Sequence, residues 1–186
     1  MVDVGCRLPG WPFTGAAGHV AVGQYERLLG IDFVPVFEAL ASVHGDREIL
    51  VIVAEPQPSY YAAHYDFRPG FRVTPDALRE GYWRGLSYKP SGDQSGAIAY
   101  TANSIAAVGS TGTWAVWGQR DWDLVLVHAA ADDGPWLHAG VPFVPPREAL
   151  ESFTAPNRRV TPLTDLETTT FLRNFSDPQG ERNDMQ

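Results

Sequence analysis

Cysteine is almost missing from this chain of 186 residues: Cys6 stands alone. One thiol excludes an intrachain disulfide framework of the secreted kind, and it excludes a zinc site built on thiolates. Lysine is as scarce, with Lys89 the only one among 14 basic residues. No run approaches the roughly 18 apolar residues that a membrane-spanning helix requires. The opening stretch, MVDVGCRLPGWPFTG, has no basic segment ahead of an apolar core, so no export signal is expected and the predicted residence is cytoplasmic. Walker and G-x-G-x-x-G patterns are missing too, so neither a standard phosphate cradle nor a cofactor is expected. Positive charge is in short supply. The net charge of −8 disfavours nucleic acid and anionic membranes as partners, because a phosphate lattice needs clustered cations.

What the chain does have is apolar and aromatic content, 44% and 12% respectively. That is enough for one domain with a sizeable core. The stretch TWAVWGQRDWDLVLVHA, residues 113–129, holds three tryptophans in two β-prone runs around a polar break at Gln119-Arg120-Asp121. This is the pattern of an antiparallel hairpin. Strand side chains alternate, so Trp114 and Val116 should face one way, Ala115 and Trp117 the other. Apolar residues on both faces put the hairpin in the middle of the molecule, covered twice.

Around it the pattern predicts a buried central strand at Ile49–Ala54 and another strand at Ser104–Val108, entering the hairpin through Gly109-Ser110-Thr111-Gly112. Val20–Leu29 reads equally as strand or helix. Helices are expected over Val36–Val43, opened by Pro35 and closed by Gly45, and after Thr74-Pro75, with Thr74 as the cap and Ala77, Leu78, Tyr82 and Trp83 in the helix. Further helices are predicted at Pro146–Phe153 and Asp165–Phe175, a further strand at Trp136–Val144, and exposed turns at Lys89–Gly96 and Asp132–Pro135. The expected fold is α+β: a single domain over 19–175 with a mainly antiparallel sheet and several flanking short helices. Residues 1–18 read as an irregular, flexible lead and 176–186 as a flexible tail.

Candidate chemistry is thin. No two of the five histidines have helical metal-ligand spacing, so no metal is expected, although His64 with Asp66, or Asp121 with Asp123, would share a face if extended. Ser110, His64 and Asp66 compose an imaginable catalytic set, yet the G-x-S-x-G elbow is lacking. The distinctive segment is Gln57–Tyr88, where eight aromatics are interleaved with Arg68, Arg72, Arg79 and Arg84. Arginine among tyrosine and tryptophan is the composition of protein interfaces.

In size, acidity and the segment WAVWGQRDWDLVLV (Trp114–Val127), the chain resembles the small immunity proteins of bacterial polymorphic toxin systems and uncharacterised actinobacterial relatives. The resemblance implies stoichiometric, non-enzymatic binding in which a preformed surface occludes a toxin. The residues expected at that surface are Tyr60, Tyr61, Arg68 and Arg72 in the aromatic segment and Arg120, Asp121 and Asp123 at the hairpin rim. Two alternatives stay open: a small hydrolase or metal-dependent enzyme using His64 and Asp66, and a structural subunit of a bacterial or phage assembly. Oligomeric state is not legible in the residues.

Overall fold

A computed structural model of the chain describes residues 2–14, 18–89, 94–130, 134–154 and 162–176. Strand β1 (His19–Gln24) runs directly into the single turn α1 (Tyr25–Leu28), so the ambiguous stretch is a strand and then a helix. Next come α2 (Val34–His44), β2 (Ile49–Glu55), α3 (Pro58–Tyr65), β3 (Gly70–Val73), α4 (Leu78–Ser87) and α5 (Ile98–Thr101). Then β4 (Ser104–Gly109), β5 (Trp114–Gln119) and β6 (Leu124–Ala129) follow as a meander, with α6 (Pro146–Ser152) and α7 (Asp165–Phe175) behind them. The strands form one antiparallel sheet in the order β1-β6-β5-β4-β2-β3. The α+β expectation is met.

The hairpin is the middle of the sheet, and every residue of β5 and β6 is buried. Trp114, Val116, Val125 and Val127 pack on one face with Phe37, Leu40 and Tyr82 from α2 and α4. Ala115, Trp117, Leu124 and Leu126 pack on the other with Leu8, Phe13, Ala149, Phe171 and Phe175. The predicted alternation therefore holds, and it divides the interior into two cores. Residues 2–14 are irregular but docked rather than loose: the Leu8 amide donates to Gln119 Oε1 (2.9 Å), and Asn174 Nδ2 donates to the Pro9 carbonyl (2.7 Å).

Several local expectations need correction. Pro35 does lie in the first turn of α2 and Gly45 (φ 69°) does close it, but Val43 is exposed at the helix end. Thr74 makes no capping hydrogen bond; a 3-10 turn at Pro75–Ala77 precedes α4, whose Trp83 points outward. The strand expected over Trp136–Val144 is instead a 3-10 turn at Pro135–His138 and a lone bridge from Val144 to Val22. Pro135 opens the turn and Gly140 (φ 91°) bends the chain after it, so the extended run never develops. In β2, Ile49, Val51 and Val53 are buried but Leu50, Ile52 and Ala54 are only half so. It lies next to the edge strand, with one face incompletely covered. By contrast α7 forms as predicted, closed at its start by a capping box between Thr164 and Glu167. The predicted tail lies outside the described residues beyond Ser176, as does much of each predicted turn, at 90–93 and 131–133.

One buried carboxylate ties the connections together. Asp46, between α2 and β2, accepts hydrogen bonds from the Thr111 amide (2.7 Å), Thr111 Oγ1 (2.8 Å), Ser110 Oγ (3.2 Å) and Trp114 Nε1 (2.5 Å). Gly109 makes room for it, since a Cβ there would lie 2.4 Å from the Asp46 carboxylate. Asp46→Ala should cost on the order of 3 kcal/mol in urea unfolding, because a buried indole N–H and a turn lose their charged acceptor. Asp46→Asn, which keeps an acceptor, should cost less.

Alkali should weaken the fold as well. The Tyr25 hydroxyl donates to the Ala102 carbonyl (3.0 Å) and the Tyr82 hydroxyl to the Leu28 carbonyl; burial pushes both phenols above the ordinary value of 10.0. The unfolded chain releases these protons first. The stabilisation is therefore whole below the ordinary phenol range and is lost as pH rises above it. Unfolding free energy should fall by about 1.4 kcal/mol per pH unit per tyrosine there, a slope that Tyr25→Phe should reduce.

Candidate functional site

The two edges of the sheet differ. At the β1 edge the Val144 amide donates to the Val22 carbonyl (2.9 Å), which interrupts the open row of backbone groups. The β3 edge pairs with no further strand among the described residues. Along it runs a groove of about 460 Å³ lined by Phe67, Arg68, Gly70, Phe71, Arg72, Gly81, Arg84, Gly85, Tyr88 and Ile98. The helix–strand approach depends on α4 presenting two glycines to β3. A Cβ on Gly85 would stand 2.5 Å from the Phe71 ring, and one on Gly81 2.7 Å from Val73 Cγ2.

Three arginines, Arg68, Arg72 and Arg84, line this groove together with the rings of Phe67, Phe71 and Tyr88. Phe67 packs 5.7 Å from Tyr88, ring centre to ring centre, and Phe71 packs 5.9 Å from Tyr82. The arginines are weakly engaged. Arg72 faces Glu48 at 3.6 Å, and Arg84 reaches Glu80 one helical turn back, both pairs largely in solvent. Exposed pairs of this kind contribute little. Arg68 has no carboxylate partner among the described residues. Arg68 and Gly70 also border a second groove of about 540 Å³, which is lined by Ile52, Val53 and Ala54 of β2 and by Val4, Gly5, Pro58 and Ser59. This is the half-covered end of β2. Arg68 borders both grooves.

The expected contact residues divide. Arg68 and Arg72 do come together, with Arg84 added, and Tyr60 is exposed on α3, its ring stacked 4.2 Å from that of His64. Tyr61 is not available: it is fully buried, with its hydroxyl 2.8 Å from Thr101 Oγ1. Helical spacing turns Tyr61 inward when its neighbour faces out. At the hairpin rim, Arg120 donates to the carbonyls of Ala102 (2.9 Å) and Ala99 (3.0 Å) and lies over the Tyr25 ring, so it fastens α5 to the turn. Asp123 is buried in the left-handed conformation (φ 52°) and accepts from Gln24 Nε2 (3.1 Å). Asp121 remains exposed and accepts from Asn103 Nδ2 (3.0 Å).

Ser110 does not join His64 and Asp66. His64 Nδ1 lies 2.8 Å from the Tyr60 carbonyl, and Asp66 ends α3 at φ 51°. Ser110 belongs to the Asp46 network beside the start of β2, where Gly109 pairs with Ile49; α3 follows the opposite end, where Ser104 pairs with Glu55. No three of His, Cys, Asp and Glu gather for a metal among the described residues. Burial pushes the Cys6 thiol up, which is the wrong direction for a reactive thiolate.

Arg84 belongs at this site although no spacing rule singled it out. The available signal was glycine at positions 81 and 85 inside a helical pattern, which marks a close approach on one face. Gly85→Ala should test that approach. Helix propensity favours alanine by about 1 kcal/mol, but displacing an aromatic ring costs about 1–3 kcal/mol. Three ring atoms of Phe71 lie within 2.6 Å of the added carbon, so the clash should win. Urea unfolding should show a net loss of about 1 kcal/mol.

No helix among the described residues is long and apolar enough to cross a membrane. No family model, no curated protein and no solved structure matches this chain.

Proposed function

We propose that the chain is a non-enzymatic binding protein of immunity type, acting in the bacterial cytoplasm, which occludes a toxin partner with the edge built from β3 and α4. One observation carries this reading: an acidic protein, net −8, lines one groove with Arg68, Arg72 and Arg84 beside the rings of Phe67, Phe71 and Tyr88. A local reversal of sign beside apolar surface is what electrostatic steering and a packed interface centre both require. The arginines are not consumed by strong internal pairs, so a partner's carboxylates would displace little.

The test is growth protection. Co-expression of the chain with toxin domains encoded beside its gene should restore growth and yield a one-to-one complex. The Arg68→Glu/Arg72→Glu variant should unfold at the same temperature while losing affinity about tenfold or more, the effect expected when like charges face each other across an interface. Absence of both protection and complex would reject the reading. The unpaired β3 edge also favours a subunit role in a larger assembly; sedimentation of the isolated chain would then show higher-order species.

A further inference from the structure

We infer that the groove along β3 takes an extended acidic segment of the partner, added to the sheet as an outer strand, with its carboxylates on Arg68, Arg72 and Arg84. The inference rests on the binding reading above and names what is bound.

Gly70, Phe71 and Arg72 are consecutive in β3, and consecutive strand residues point to opposite faces. All three line the groove, so it follows the strand's edge rather than either face. The Gly70 amide is already bonded to the Arg68 carbonyl (3.0 Å), so the edge offers another extended chain the Gly70 carbonyl and the amide and carbonyl of Arg72. Short β3, with only Gly70–Val73 in the ladder, leaves the adjoining Phe67-Arg68 side open.

Charge selects the kind of strand. The described lining has three arginines and no carboxylate, in a protein of net charge −8. Arginine forks grip carboxylates with two parallel hydrogen bonds, and successive residues of an added strand would turn to opposite sides, one toward Arg84 on α4 and the next toward Arg72. Tyr88, largely exposed above Phe67, offers a slot for one apolar side chain between the charges. A nucleic acid would find phosphate contacts but no use for the strand edge, against the field of the whole protein. A second copy of this chain would bring further negative charge, but β3 pairing with itself would also bring arginines against arginines.

A random peptide library displayed on phage, panned against the immobilised full chain, tests this. Enriched sequences should carry several Asp or Glu residues around an apolar one. The leading peptide, synthesised and labelled, should bind about tenfold more weakly to Arg84→Glu and to Arg68→Glu. It should also bind more weakly when a central residue is replaced by proline, which cannot complete a ladder. Each variant is checked by thermal unfolding; should a reversal unfold the chain, Arg68→Gln or Arg84→Gln serves in its place. The inference is overturned by panning that enriches nothing, by enrichment without acidic bias, by equal binding to the variants, by displacement of the peptide with oligothymidylate, or by dimerisation through this edge. Acidic enrichment without any neutralised toxin would support this inference and count against the immunity reading. Loss of protection in the arginine variants without acidic enrichment would do the reverse.

Discussion

Trp114 and Trp117 lie on one strand, three residues apart, and face opposite sides of the sheet. Neither can be left in water without losing a large apolar contact, so the sheet must be covered twice. That constraint organises the rest of the molecule. On one side α2 and α4 supply the cover. On the other the work falls to an irregular N-terminal segment and to α6 and α7, elements from opposite ends of the chain. Asp46 couples this burial to connectivity, since its carboxylate binds both the indole N–H of Trp114 and the turn that launches β5.

Cover thins out away from the hairpin. β5 and β6 are dry on both faces, whereas β2 keeps three half-exposed residues on one of them, and β3 lies at the rim with Gly70 and Arg72 exposed. The grooves open where the second layer stops. There the chain places arginines that would be costly inside and are cheap at an edge, next to aromatic rings that belong partly to the core. Burial thus grades from the hairpin to the β3 edge. The same helix, α4, spans that gradient: Tyr82 and Leu86 face the core, while Arg84 and the two glycines shape the edge.

Elements governed by local pattern were legible in the residues. The hairpin alternates strictly, α2 is bracketed by Pro35 and Gly45, and α7 has its apolar residues at helical spacing. Failures came where a neighbour, not the local pattern, decided. Tyr60 and Tyr61 are the same residue type side by side, and only the way α3 sits on the sheet makes one exposed and the other buried. Asp123 resembles a solvated turn residue, yet a left-handed backbone turns it inward toward Gln24. Trp136–Val144 has strand composition but finds one bridge instead of a ladder, because Pro135 and Gly140 bend it away.

From its own residues the chain determined its class and its centre: one antiparallel sheet around a doubly buried tryptophan hairpin, no disulfide scaffold, and a segment where arginine and aromatics are interleaved. Those follow from periodicity and composition, which act over a few residues. Tertiary structure alone decided that β3 is an edge, that Arg84 joins Arg68 and Arg72, and that Arg120, though exposed, is bound to the carbonyls of Ala99 and Ala102. Such outcomes depend on which distant backbone passes nearby, and burial is assigned by the whole packing at once.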